Sequence, residues 1–552
     1  MELQKRRSFK TYGLEIVVLL VSALIYSFAF PGFLSVKGFG VVAFFALIPL
    51  FTVIRQTSWK AIPFYGFLFG FSFYTLFNYW LTTFHPLAIL LVPIIKGGEM
   101  VMLFPVLKAA DRWFKRYGFL FQAVIWVAYS YLSQSWFAGY PYGTISSAVY
   151  EFTHFIQIAD FSGIWGITFI MILPQAFLGR YVADQWMGEK RPFVQFITSY
   201  TKIVLTYAVL LVFVFVYGFF TLSTWRHEEP EKMWRVATIQ HSADSWKGGY
   251  ETYKRNFNNL RTMSLQALQG NPDMILWSET AFVPSVYWHT TYKTDEATAE
   301  LVDEFVAFGK SLPVPLLTGN PEGVLDDEQA PPLHSDGSWN RKDYNTVIMF
   351  EGGEIKNTYR KQHLVPFTEH FPYEKELPWL YNLLLANDYN WWEKGYVPVV
   401  FETDEGVRFS TPICFEDVFG YLSAGFVRNG ADVIVNMTND SWSGAVSAEM
   451  QHLALAVFRS IENRRATVRG TNSGITAVIL PTGEVVDPME PFTKGWHIYD
   501  VPVYSNSEHT FYTRYVDIIA IATVYISLAL LGFGAVLRIL RWKKDHSHES
   551  RT

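Results

Sequence analysis

Long apolar runs crowd the first 223 residues, cease over residues 224–510, and return once near the C-terminus. They fall near 13–31, 39–54, 61–81, 86–107, 118–137, 160–179, 203–223 and 515–537. Each approaches the roughly 20 residues that a helix needs to cross a bilayer. The pattern predicts seven membrane helices, a large insert and an eighth helix. The first run is long for a signal-peptide core and is followed by further spans, so an uncleaved anchor is expected.

The basic residues supply an independent ordering, because cytoplasmic loops carry the excess of Lys and Arg. Lys5, Arg6, Arg7 and Lys10 precede the first run, and Arg55 and Lys60 follow the second. Lys108, Arg112, Lys115 and Arg116 follow the fourth, and Arg180, Lys190, Arg191 and Lys202 the sixth. Arg538, Arg541, Lys543 and Lys544 follow the eighth. All fall on one side under this count. Opposite them, no Lys or Arg occurs between Arg116 and Arg180, and Lys37 is the exception in the first loop. Both termini are therefore expected inside and the insert outside. The boundaries follow: a seven-helix region over 1–223, an insert over 224–510, and a final helix with a basic tail over 511–552.

The insert has a different periodicity. Short β-type runs at Val236 to Gln240, Met274 to Trp277, Val314 to Gly319, Tyr344 to Phe350, Val407 to Ile413 and Ala431 to Asn436 alternate with helical stretches near 248–268 and 296–309. Such alternation predicts a layered α/β domain. A further helix is expected from about Ala445 to Arg465, and an exposed loop over Pro321 to Asp343.

Composition agrees with this division. Hydrophobic residues make up 50% of the 552 and charged residues 17%, too apolar for disorder and low in charge for a soluble globule. The net charge of −5 offers no basic field for nucleic acid. One cysteine excludes an intramolecular disulfide and any multi-cysteine metal site.

That cysteine, Cys414, ends the run Val407 to Ile413, and Glu279 follows the run Met274 to Trp277. Both thus stand where strands should end, a common place for ligands in α/β domains. Lys361 lies in Tyr359 to Phe367. Singly, each has an ordinary reading: a small buried hydrophobe, a solvated loop carboxylate and a surface lysine.

In this order, Glu279, Lys361 and Cys414 resemble the catalytic trio of the nitrilase superfamily. The surrounding words narrow the match. Leu276 to Ala281, Tyr359 to Phe367 with Glu369, Cys414-Phe415-Glu416, Asn436 to Trp442, Gln451-His452-Leu453 and Arg469 to Val478 resemble the apolipoprotein N-acyltransferase family. The likeness covers nearly the whole chain, spans included. It implies about eight transmembrane helices in an α-helical bundle, and an extracytoplasmic nitrilase-like domain built as a layered α-β-β-α sandwich.

The resemblance also implies a chemistry, the transfer of an acyl chain from a phospholipid to the N-terminal α-amino group of a diacylglyceryl apolipoprotein. It assigns Cys414 as nucleophile and thioester carrier, Glu279 as general base, and Lys361 as stabiliser of oxyanion and thiolate. Glu369 and Glu416 would support them, by holding the lysine or by raising the pKa of the base. A bacterial inner membrane with the domain on its periplasmic side is implied, and no cofactor or metal. An amidase or acyl hydrolase, and a non-catalytic lipoprotein-binding relative, remain as rival readings.

Two-tailed substrates should arrive from the bilayer. Leu377 to Leu385, with Trp379 and Leu380, and then Trp391 and Trp392, form an aromatic and apolar stretch suited either to a lid at the interface or to core packing. Phe282, Tyr287 and Trp288 suit either a second lip or, for each residue singly, core packing. Lys96 and Glu99, three residues apart in the fourth span, are expected to pair with each other, or else to form a head-group site. His452 is expected as a structural hydrogen-bonder. Several positions depart from the family words: Ser278 replaces proline, Phe415 tyrosine, Ser441 alanine and Ser443 phenylalanine, while Ser130 and Ser133 stand where the fifth span commonly carries charges.

Overall fold

A computed structural model describes residues 8–84, 88–136, 138–371, 373–385, 391–505 and 508–549. Lys5, Arg6 and Arg7, the start of the fourth apolar run at 86 and 87, and the side chains of Arg541, Lys543 and Lys544 lie outside the described residues. The chain divides into two compact units, Met1–Ser223 with Asp517–Thr552, and Thr224–Val516.

The first unit is helical. Among the described residues, five helices are long and apolar enough to cross a membrane: Phe9–Phe28, Ile89–Trp113, Ala159–Trp186, Thr201–His227 and Ile518–Leu540. The other three expected spans are shorter. The run 39–54 breaks into a 3₁₀ turn at Gly40–Phe44 and a nine-residue helix, Ile48–Gln56, with Pro49 in its first turn. The run 61–81 gives the 16-residue helix Ile62–Phe77, about 24 Å at 1.5 Å per residue, and 118–137 gives Gly118–Ser135. Hydropathy reports apolar surroundings, and these helices find them partly against other helices. Lys96 and Glu99 pair as expected at 3.2 Å. Lys96 also donates to Ser133 Oγ at 2.8 Å, so a serine of the neighbouring helix serves the buried ammonium.

The second unit contains two sheets. The strands in chain order are β1 (Lys232–Gln240), β2 (Met274–Leu276), β3 (Leu316–Val324), β4 (Lys342–Glu351), β5 (Glu354–Arg360), β6 (Trp392–Glu393), β7 (Val400–Glu402), β8 (Arg408–Ser410), β9 (Val433–Thr438), β10 (Ala466–Thr471), β11 (Ala477–Ile479), β12 (Val485–Val486) and β13 (Gly495–Val503). One sheet runs β13-β1-β2-β3-β4-β5, with β6 also paired to β4; the other runs β12-β11-β10-β9-β8-β7. The pairs β1–β2, β2–β3, β8–β9 and β9–β10 are parallel.

A period of two in the first sheet separates its faces. Val236, Met274, Leu276, Leu317, Val347 and Met349 join Phe409, Val433, Val435, Ala466 and Val468 of the second sheet in one buried core. The alternate residues Ala237, Ile239, Ile275, Trp277, Ile348 and Phe350 pack with Phe257 and Leu260 of helix Tyr250–Ala267 and with Leu301, Val302 and Phe305 of helix Glu296–Ser311. Helix Val446–Asn463 bonds to the second sheet through Ser460, at 2.8 Å from Thr467. The order is thus helix, sheet, sheet, helix. Phe282 and Trp288 correct the lip reading: both are buried, Phe282 stacked 4.0 Å from Phe305, because the turn after β2 folds back on the helical layer. Only Tyr287 of that expected lip is exposed. The expected loop 321–343 is shorter at both ends, since β3 continues to Val324 and β4 starts at Lys342.

Close approach of β3 to the end of β2 requires a glycine. A Cβ on Gly319 would stand 2.3 Å from the Thr280 amide nitrogen and 2.8 Å from Glu279 Cα, both backbone atoms that cannot swing aside. Gly319→Ala should destabilise the α/β unit by about 1–3 kcal/mol, measured as a lower apparent melting temperature of the solubilised protein; an unchanged melting temperature would show that the strands separate freely.

Candidate active site

The chemistry-bearing residues sit just past strand ends. Glu279 follows β2, Lys361 follows β5, Cys414 follows the bridge that extends β8 at Ile413, and Asn439 follows β9. The two stacked sheets therefore deliver residues distant in sequence to one place. Thr280, Phe367 and Cys414 all adopt positive φ, 45°, 64° and 48°. Such strain in L-residues persists only where surroundings enforce it and is commonly found at active sites.

Lys361 is completely buried and lies between two carboxylates, 2.8 Å from Glu369 and 3.4 Å from Glu279. Burial opposes its charge, but Glu369, Glu279 and the Cys414 thiol together outweigh it, and the ammonium is held above the usual lysine range. Glu369 is itself fixed by the Val365 N–H at 2.8 Å. Glu279 accepts from Asn345 Nδ2 at 2.8 Å on Oε1 and from the Asn439 N–H at 2.9 Å on Oε2. Burial pushes Glu279 up from the carboxylate range; Lys361 opposes this and Glu369 adds to it. Cys414 is partly accessible, and its thiol lies within the electrostatic reach of Glu279 and Lys361. Burial and then Glu279 raise its thiol well above the ordinary value, against the pull of Lys361.

The two supporting carboxylates differ in position. Glu369 bonds Lys361 and its charge acts on Glu279. Glu416 does not hold the lysine. It accepts from Tyr359 Oη at 2.9 Å and from the N–H groups of Gln362, His363 and Ile413 at 2.6, 2.9 and 2.8 Å. It ties the lysine strand to the turn that carries Cys414, and burial lifts its pKa to about 7.

Asn345 and Asn439 were not singled out by the sequence as holders of Glu279. Asn345 stands in the polar first half of its strand, before the apolar run Val347 to Phe350, where no local pattern marks it. A second set lies behind the cysteine turn. His452 Nε2 is 2.7 Å from Asp417 and its Nδ1 3.0 Å from Asp440, while Arg469 pairs with Asp417. His452 is thus a structural bonder, as expected, and it links the turn of Cys414 to the loop whose Asn439 holds Glu279. Among the described residues no group of three or more His, Cys, Asp or Glu is arranged to hold a metal ion.

The aromatic stretch divides. Helix Pro378–Leu385 buries no residue; Trp379 is 66% exposed, and Leu380 is half-buried. Trp391 packs among Phe371 and Tyr381, with ring centroids 6.1 and 6.4 Å apart. Trp392 belongs to β6, and its N–H donates to the Glu369 carbonyl at 2.9 Å. The stretch thus has an exposed apolar helix and an anchored end beside the lysine.

Comparison with known proteins gives two matches to family models. Residues 22–177 match the apolipoprotein N-acyltransferase N-terminal domain, and residues 235–505 match carbon-nitrogen hydrolase. The chain is 34% identical over 545 residues to apolipoprotein N-acyltransferase 1 of Treponema denticola, covering 97% of this chain and 99% of that protein. It is 33% identical to apolipoprotein N-acyltransferase 1 of Treponema pallidum, covering 96% and 97%. It is 28% identical to apolipoprotein N-acyltransferase of Borreliella burgdorferi, covering 86% and 87%.

The His452 cluster makes a pH prediction. Burial disfavours the imidazolium, yet Asp417 and Asp440 outweigh it and raise the pKa from 6.5 to about 9. A raised folded-state pKa gives stability that is complete below the unfolded value and lost as pH rises through the folded one. Apparent melting temperature should fall between pH 6.5 and about 9, and this component should be missing from His452→Gln. Equal slopes in both proteins would refute the assignment.

Proposed function

The chain belongs to the apolipoprotein N-acyltransferase family, acyltransferases of the nitrilase superfamily, and from this we propose a lipoprotein N-acylation that runs through Cys414. The acyl donor is a phospholipid. The acceptor is the N-terminal α-amino group of a diacylglyceryl-cysteine lipoprotein. The observation that carries the reading is the convergence of Glu279, Lys361 and Cys414 from separate strand ends.

Cys414 keeps its proton at rest, since burial raises its pKa. As Sγ attacks the ester carbonyl of the donor, Glu279 takes that proton; its own raised pKa brings it closer to a neutral-pH base. The carbonyl oxygen becomes an oxyanion beside the Lys361 ammonium. Collapse breaks the C–O bond, Glu279 returns the proton to the departing lysophospholipid oxygen, and the acyl group remains as a thioester. In the second half the amine attacks the thioester, Glu279 removes the ammonium proton, and Cys414 leaves as a thiol once it regains that proton. The family and the apolar helices make this a bacterial membrane protein. We assign it eight spans, the inner membrane and a periplasmic α/β unit, on the evidence of basic-residue asymmetry. Trp379 and its exposed helix would meet the bilayer interface and admit the acyl tails, while Trp391 and Trp392 hold the stretch to the site.

Incubation with phospholipid should leave a hydroxylamine-labile acyl group on the Cys414 peptide, read by mass spectrometry. Cys414→Ala should show none, and Glu279→Gln should form it about 10²–10⁴-fold more slowly. Acyl release without an amine acceptor would identify a hydrolase, and no adduct in folded protein would favour a binding role. Glu369→Gln should lower acylation more than Trp379→Ala does at saturating donor, because it loosens the lysine; Trp379→Ala should act chiefly on KM. An equal loss in kcat for both variants would sink the division between holder and lid.

A further inference from the structure

The helical unit contains a cavity of about 530 Å³ that no part of this chemistry uses. Its walls are the loop after helix Ile48–Gln56, the last turns of helix Ala88–Trp113, and residues near Gly534 and Arg538 on the final helix. It lies wholly in that unit, whereas Glu279, Lys361 and Cys414 lie wholly in the other. The volume falls within the usual range for small-molecule sites.

Among the described residues the lining includes Lys108, Arg112 and Arg538 and no acidic side chain; the Glu15 carboxylate behind it accepts from Thr57 at 3.1 Å and from Tyr65 at 3.0 Å. The acid nearest in sequence, Asp111, is occupied by Arg55 at 2.7 Å. Lys108 is buried and fixed, its ammonium donating to the Ile54 carbonyl at 2.9 Å and lying 5.7 Å from the Trp59 ring. Arg112 donates one nitrogen to the Arg55 carbonyl at 3.0 Å. Neither Arg112 nor Arg538 makes an ion pair among the described residues. A Cβ on Gly534 would stand 2.4 Å from the Trp113 ring, so the final helix approaches closely, and Arg538, one turn on, reaches the same cavity. On the membrane side of Arg538, Phe533 and Ile526, seven residues apart, are exposed on one face of the helix.

A cavity of this kind combines fixed positive charge, two indoles and an adjoining apolar helix face. Guanidinium groups suit phosphate, indoles suit the membrane interface, and basic pockets between membrane helices suit anionic head groups. We propose that this cavity binds the phosphate of an anionic phospholipid, whose acyl chains run toward the bilayer centre along Phe533 and Ile526. The same phosphate chemistry is offered by a soluble glycerol phosphate, and a competition experiment separates the two.

The test uses the full chain in detergent, carrying Cys414→Ala to prevent turnover, and native mass spectrometry with dioleoyl phosphatidylglycerol or phosphatidylcholine. Phosphatidylglycerol should be retained in preference to phosphatidylcholine, and Arg112→Gln with Arg538→Gln should weaken retention about fivefold for each arginine removed. Arg112→Lys with Arg538→Lys should keep most of the binding. Arg538→Gln alone, at an exposed position, provides the comparison if the double variant does not purify. Excess glycerol 3-phosphate should fail to displace the lipid. Retention unchanged by the glutamines, or equal for both lipids, would overturn the proposal; displacement by glycerol 3-phosphate would assign the cavity to a soluble phosphate instead.

Discussion

The Lys361 ammonium has no solvent exposure, and the local fold is organised around satisfying it. An unpaired charge at such depth would cost several kcal/mol, so the carboxylates beside it are a condition of its burial. Glu369 at 2.8 Å supplies the stronger bond and Glu279 at 3.4 Å the weaker. That asymmetry has a chemical meaning. A lysine anchored chiefly by Glu369 neutralises the site while leaving Glu279 held by Asn345 and the Asn439 N–H, within electrostatic reach of the thiol. Burial, with the like charge of Glu369 added to it, keeps the base above the ordinary carboxylate range.

The remaining buried polar groups keep that arrangement in register. Glu416 bonds the backbone on both sides of the gap between the lysine strand and the cysteine turn. His452, on a helix buried from Ser447 to Asn463, joins Asp417, Asp440 and Arg469 in bracing the same turn from behind. These groups bear charge without facing the reacting atoms. Their value is geometric, since a positively strained Cys414 and a base on another sheet must stay within reach of each other.

The helical unit follows a different rule. The window of helix Ala159–Trp186 is 72% buried and that of Thr201–His227 only 11%, so one sits within the bundle and the other turns an apolar surface outward. Hydropathy treats both alike, because lipid and protein interior are equally apolar solvents. Residues 39–54 are apolar almost throughout and yet fold as two helical pieces, with Pro49 in the first turn of the second. Lys96 is tolerated where Glu99 and Ser133 satisfy it.

The sequence by itself determined the division into apolar and α/β regions, the helices over 248–268 and 296–309, and the order Glu279, Lys361, Cys414, because periodicity and motif are local properties of a chain. It also marked His452 as structural. It did not separate Glu369 from Glu416, which differ only in which neighbours the folded backbone presents to them, nor foresee that Phe282 and Trp288 enter the core while Trp379 stays outside. Asn345, the Asn439 N–H and the glycine-dependent approach at Gly319 were decided by tertiary structure alone. Asn439 reaches Glu279 from the other sheet, while Gly319 and Asn345 reach it from neighbouring strands of its own, and all of these positions lie too far apart in sequence for any local pattern to encode.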